Sequence, residues 1–260
     1  MPEVRVNGVA LYYEERGSGD AILGLHGAGS SAGFWADAAE ELATRGRAIV
    51  FDRRGHSRSE RPEPFVTDVH LQADDASTLI DALDAAPAIV IGRSYGADVA
   101  VDLALRHPER VRALVLMEGL ELISEEGARW LSGLVEQVLA AAEADVSTVG
   151  EVLLRSVLGD EGWSGLPAAA RQVFTDNGPA IAAELRGGFL DVTAGELATV
   201  DQPTLLVTGE DSVPVYAEVT SALAAAMPSA RIERVAGGHL IDPAHPTVLA
   251  FVDEVLAGRA

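Results

Sequence analysis

The stretch AIVIGRSYGADVAVDLALRH, residues 88–107, joins a continuous apolar run to a helical pattern through a polar turn. Ser94 stands in that turn, with Gly92 two residues before it and Gly96 two residues after. Glycine is placed where the chain turns sharply or where something must approach the backbone closely. The spacing therefore predicts a tight strand-to-helix turn that presents the serine hydroxyl. Working outward, similar apolar runs recur at 21–27 (AILGLHG), 47–52 (RAIVFD), 111–118 (VRALVLME), 202–209 (QPTLLVTG) and 230–237 (ARIERVAG). Helical patterns separate most of them, at about 33–45, 67–85, 95–107, 215–227 and 243–257. Continuous apolar strands alternating with helices predict an α/β fold with a mostly parallel sheet covered on both faces. At the N-terminus EVRVNG and VALYYEE alternate around Asn7-Gly8, which reads as an antiparallel hairpin.

The alternation breaks once. No strand pattern occurs between Glu118 and Gln202, and EGARWLSGLVEQVLAAAEA places Leu131, Leu134, Val135, Val138 and Leu139 on one helical face. This predicts a core domain from 1–119 and 198–260 with a helical cap over 120–197. A purely structural helical insertion is the plainer alternative. Trp130, Trp163, Phe174 and Phe189 are candidate pocket walls, and each can equally be interior to the cap.

Composition narrows the function. The chain carries a net charge of −21, which repels nucleic-acid phosphates and anionic lipid and argues against both as partners. All nineteen basic residues are arginine, so lysine Schiff bases and a P-loop lysine are excluded. The absence of cysteine removes disulfides, thiolate catalysis and sulfur-ligated zinc. No apolar run approaches 18 residues, and the start shows no basic-then-apolar leader. The expectation is a cytoplasmic protein acting on a small-molecule substrate; nothing in the sequence speaks to its oligomeric state.

Ligands of a parallel sheet bind beyond the carboxyl ends of its strands, and polar residues collect there. G-x-S-x-G at a strand–helix junction is the pattern of a nucleophile elbow, with a helix N-terminus aimed at the site. A serine merely capping the helix is the bland alternative. The hydroxyl needs a base, and His239 in AGGHLIDP follows the last strand on a glycine-rich loop. His70, His107 and His245 read as surface residues. Developing negative charge needs N–H donors. The candidates are the backbones of Tyr95, just after the serine, and Ala28 in HGAGSS.

The chain resembles the α/β-hydrolases over essentially its whole length, through HGAGSS (26–31), DRRGHSRS (52–59), GRSYGA (92–97) and GGHL (237–240) in order. Ser57 replaces the second glycine usual in D-x-R-G-x-G-x-S, a largely structural motif, so Arg54 and His56 receive no catalytic role. The resemblance implies Ser94 as nucleophile, His239 as base and no cofactor or metal. It predicts a serine hydrolase acting on an ester, lactone or thioester of a small, mostly apolar acid. Carbon–carbon bond hydrolysis, transacylation and cofactor-free peroxidation share the fold. Serine at position 94, rather than aspartate, argues against the epoxide hydrolase and dehalogenase branches.

The triad acid departs from the usual pattern. Three residues after Gly209 stands Ser212, and Asp211 comes one residue early. Glu118 ends the preceding core strand at the same sheet edge and is favoured, with Asp211 as the alternative. Two rivals come from other classes. Residues 27–32, GAGSSA, followed by Asp52, imitate a dinucleotide-binding fingerprint and would suggest an NAD-dependent oxidoreductase. That reading leaves GRSYGA and GGHL without a purpose. A non-catalytic binding protein on the same scaffold would be expected to have lost Ser94 or His239.

Overall fold

The structure is a computed structural model and describes residues 2–258. In chain order the strands are β1 (Glu3–Val6), β2 (Val9–Gly17), β3 (Ala21–Leu25), β4 (Arg47–Phe51), β5 (Ala88–Arg93), β6 (Val111–Met117), β7 (Thr204–Gly209) and β8 (Ala230–Val235). They form one sheet in the order β1-β2-β4-β3-β5-β6-β7-β8. β2 is antiparallel to β1 and β4, and the pairs from β3 onward are parallel. The Asn7-Gly8 turn has φ of 40° and 84°. Positive φ at both central positions is what a two-residue hairpin of matching twist requires.

The helices are α1 (Ala36–Leu42), α2 (Val69–Ala82), α3 (Tyr95–Arg106), α4 (Glu125–Ala144), α5 (Val149–Gly165), α6 (Ala168–Asp176), α7 (Gly178–Gly187), α8 (Ala194–Leu197), α9 (Val215–Ala226) and α10 (Pro246–Leu256). β5 is buried along its whole length, and the two faces of the sheet feed separate cores. Val90 points to the face covered by α2, α3 and α9. Ile89 and Ile91 point to the face covered by α1 and α10. That alternation follows from the pleat.

Residues 121–197 contain helices and no strand. Their interior is a third cluster in which Leu131, Leu134 and Val138 of α4 meet Leu153 and Leu154 of α5, Phe174 of α6 and Ile181 of α7. Val135 and Leu139 lie at its half-buried edge. The insertion is tied to the core at both ends by one side chain. Asp98, fully buried in the first turn of α3, accepts the Leu120 N–H at 3.2 Å and the Leu190 N–H at 3.1 Å. Burial, only partly offset by these bonds, pushes its carboxyl up to about 7.

Asp98→Ala leaves two buried N–H groups without acceptors, each costing about 1–3 kcal/mol. The expected result is a loss of about 2–6 kcal/mol in urea unfolding, with tryptophan fluorescence of the insertion changing no later than the far-ultraviolet dichroism.

Candidate active site

Ser94 sits between β5 and α3 with φ 53° and ψ −131°. A non-glycine residue held at such angles is strained, and its neighbours must enforce the conformation. The enforcement is steric and hydrogen-bonded. The Ser94 N–H donates to the Met117 carbonyl at 2.8 Å, and its carbonyl accepts from Ala97 N–H at 2.6 Å. A Cβ on Gly96 would collide with the Leu25 carbonyl of β3, and one on Gly92 would strike the Gly96 backbone. The glycines flanking the serine are thus required by the closeness of α3 to the sheet.

The loop after β8 brings His239 back to the same sheet edge. Its Nδ1 lies 2.8 Å from Oε2 of Glu118, the residue that follows β6. The other carboxylate oxygen of Glu118 accepts the Gly209 N–H at 2.7 Å and the Thr208 hydroxyl at 3.0 Å. Burial raises the Glu118 carboxyl, but its bond to His239 and these donors outweigh that and hold it below the usual range. A carboxylate there keeps the imidazole proton on Nδ1 and leaves the Nε2 lone pair free. Tyr216 stacks on the imidazole, with ring centroids 4.7 Å apart and planes 16° from parallel. Asp211 is exposed, and its backbone N–H bonds to the Gly237 carbonyl at 2.9 Å. Among the described residues its carboxylate makes no bond to His239.

A third carboxyl lies nearby. Burial, then the like charges of Asp98 and Glu118, push Glu121 up to about 8, so it is neutral at pH 7. Glu118 is therefore the ionised carboxylate bonded to His239.

The HGAGSS loop is arranged around one peptide plane. The Gly27 carbonyl is bonded to His26 Nδ1 at 2.8 Å and accepts the Ser30 N–H at 3.2 Å. His26 Nε2 accepts the Arg53 N–H at 2.9 Å. Burial and the Arg53 charge hold this imidazole's pKa well below its ordinary value, so it is neutral. In a trans peptide the N–H points opposite to the C=O. Fixing the Gly27 carbonyl therefore aims the Ala28 N–H the other way. The Tyr95 N–H, first in α3, lacks a helical acceptor, as every first-turn donor does.

Ser94, His239, Gly27 and Ala28 line one cleft, enclosing about 390 Å³ of space not filled by atoms, mouth included. Its apolar wall is Leu153, Leu154 and Val157 of α5 with Phe174 and Leu240. Of the four aromatic wall candidates, only Phe174 lines it. Trp163 is interior to the insertion. Trp130 packs edge-on against Tyr216, and Phe189 against Tyr95. The leucines and valine of α5 escaped sequence reading because periodicity marks an apolar face without saying what it faces.

Sequence reading also missed the residues that grip the HGAGSS loop from the insertion. Asn177 donates to the Gly29 and Ser30 carbonyls at 2.9 and 3.1 Å and accepts the Ser57 N–H at 2.7 Å. Glu184 pairs with the buried Arg53 and accepts from Gln72 at 3.0 Å. Asp52 spends its carboxylate on the Ala32 N–H and on Arg58, at 2.7 Å each. It is thus a loop anchor, with no oxygen left for a ribose.

Known proteins agree with this frame. The profile described as alpha/beta hydrolase fold matches residues 20–242. The chain belongs to the α/β-hydrolase fold family. It is an enzyme of the hydrolase class. The "Putative carbamate hydrolase RutD" of Azorhizobium caulinodans is 30% identical over 266 residues, covering 99% of this chain and 97% of that protein. The pimeloyl-[acyl-carrier protein] methyl ester esterase of Nitrosospira multiformis is 28% identical, covering 96% of each. A thermophilic esterase from Thermogutta terrifontis, solved with malate bound, superposes with a TM-score of 0.83 at 20% identity, covering 100% of both chains. Among the described residues no helix is long and apolar enough to cross a membrane.

The lowered Glu118 pKa carries a prediction for acid unfolding. A lowered folded pKa contributes stability that is present above the unfolded value, about 4.3, and is lost as pH falls through the folded one. Glu118→Gln lacks this contribution. The stability difference between the wild type and this variant is expected to shrink as pH drops below about 4.3, read by urea unfolding across a pH series.

Proposed function

We propose that the protein is a serine hydrolase that cleaves an ester, lactone or thioester of a small, mostly apolar acid through an acyl-enzyme on Ser94. The observation that carries this reading is the Glu118–His239 pair at 2.8 Å opening onto the cleft that Ser94 lines. Ser94 Oγ adds to the substrate carbonyl while His239 Nε2 takes its proton. Glu118 holds the imidazole in the tautomer that can accept and offsets the charge it gains. The oxygen of the tetrahedral adduct is met by the Ala28 and Tyr95 N–H groups. The adduct collapses, His239 returns the proton to the departing alcohol, and the acyl group stays on Ser94. Water then repeats the sequence and releases the acid.

The helices of 120–197 act in this reading as a cap that supplies the apolar wall, and the mostly aliphatic lining favours an alkyl or short acyl portion. The two relatives bear on bond type by name alone, one a carbamate hydrolase and the other a methyl ester esterase.

Ser94→Ala is expected to abolish both fluorophosphonate labelling and aryl ester turnover while leaving the dichroism spectrum unchanged. Persistent labelling of that variant would remove Ser94 as nucleophile. Glu118→Gln is expected to lose about 10⁴ in kcat, as neutralising a triad acid does elsewhere, whereas Asp211→Asn stays close to wild type. The reverse pattern would transfer the acid's role to Asp211.

A further inference from the structure

Among the described residues three arginines are buried: Arg53, Arg54 and Arg93. Arg53 is met by Glu184, and Arg54 by Asp75 at 2.7 Å. Arg93 is not met by any carboxylate within ion-pair distance among the described residues, in a chain with 40 acidic side chains. The hydrogen bond its guanidinium makes among the described residues runs from Nη1 to the Ile241 carbonyl at 3.2 Å. The Trp35 ring lies 6.0 Å from its guanidinium carbon. Asp242 acts on it only at longer range and is exposed, so water screens it. Burial lowers the Arg93 pKa to about 10, which still leaves a full cation at pH 7. Buried cations are ordinarily paired, because desolvation without a partner is costly.

The location of this cation bears on the cleft. Arg93 immediately precedes Ser94, is 7% exposed, and lines the cleft that holds Ser94 and His239. Together with Phe174 and Leu240 it also lines an adjoining outer cavity. These three side chains form the partition between the two spaces. Among the described residues no other arginine lines the inner cleft, and no carboxylate does.

We propose that Arg93 is a carboxylate-binding subsite, so that the enzyme's substrates are esters bearing a free carboxylate beside the apolar portion. The proposal rests on the serine hydrolase reading above. A guanidinium fork suits both carboxylate and phosphate. Charge balance separates them. One buried cation is neutralised by a carboxylate, whereas a phosphate dianion would leave a second charge unpaired in an otherwise apolar cleft. A neutral substrate would fill the cleft and leave the guanidinium unpaired, so the cation also selects against uncharged esters.

The carboxylate can sit on the acid side of the ester or on the alcohol side, and two substrate pairs separate these cases. Monophenyl glutarate is compared with its methyl ester, and 4-acetoxybenzoate with its methyl ester. In wild type at least one charged ester is expected to exceed its methylated twin in kcat/KM by about tenfold or more, mainly through KM. In Arg93→Gln that ratio falls towards unity, and Arg93→Lys restores part of it. Equal use of charged and methylated twins by wild type, or an unchanged ratio in Arg93→Gln, overturns the proposal.

Binding supplies a readout free of turnover. By calorimetry, Ser94→Ala is expected to bind monomethyl glutarate about tenfold or more tightly than dimethyl glutarate. Adding Arg93→Gln removes the difference, and equal affinities in Ser94→Ala reject the subsite. Fluorophosphonate labelling of wild type separates the two failures. An unlabelled Ser94 defeats the hydrolase reading, while the calorimetry still decides the role of Arg93.

Discussion

The closeness of α3 to the sheet is the constraint on which the rest of this structure depends. The helix starts so near β3 and β5 that a side chain at 96 would collide with β3 backbone and one at 92 with the backbone of α3. The chain between them must therefore turn within Ser94 itself, at angles that a serine does not choose freely. The same closeness runs outward to β6, where a Cβ on Gly119 would stand 2.6 Å from the Ser94 carbonyl. It lets Asp98, in the first turn of α3, reach the Leu120 N–H at the start of the insertion and the Leu190 N–H before its last helix. Strain at the serine is thus maintained by packing on three sides, which is how functional strain survives in a marginally stable molecule.

Around that turn the polar groups are graded by burial. Glu118 is held charged by its bond to His239 and by its donors, whereas Glu121 is pushed up by burial and the charge of Asp98 beyond what its own hydrogen bonds offset, and is neutral. One carboxyl can orient an imidazole and the other cannot compete for it. The surface follows a different logic: its excess of acid repels other anions. An anion destined for the cleft must cross that field and be rewarded only inside.

The sheet and the elbow were legible because they rest on local signals. Apolar runs bounded by polar residues mark buried parallel strands, and the serine between glycines marks the sharp turn. Glu118 was visible as a polar end to an apolar strand, although its φ of 47° was not. The insertion was legible only as a set of helices. Its contribution to the cleft, Leu153, Leu154 and Val157, depends on how α5 rotates against α6, which is decided by tertiary packing. No sequence pattern singles out Asn177, which stands between α6 and α7. Its three hydrogen bonds, two of them buried, join positions more than a hundred residues apart. Arg93 likewise passed as the variable residue of a motif, since no sequence pattern reports that a cation lacks a partner.

The grip of Asn177 and Glu184 on the HGAGSS loop and on Arg53 has a consequence for how such enzymes are remodelled. A helical insertion held this way is not an interchangeable module. Exchanging 120–197 for the equivalent part of a relative would leave the Arg53 guanidinium buried without a counter-charge and the Gly29 and Ser30 carbonyls without a donor. The graft would have to bring a carboxylate and an amide to the same two points. A transplant matched only for the shape of its apolar wall would inherit a loosened loop at the Ala28 peptide. The segment that shapes the cleft is also the segment that holds the Gly29 and Ser30 carbonyls beside the Ala28 peptide.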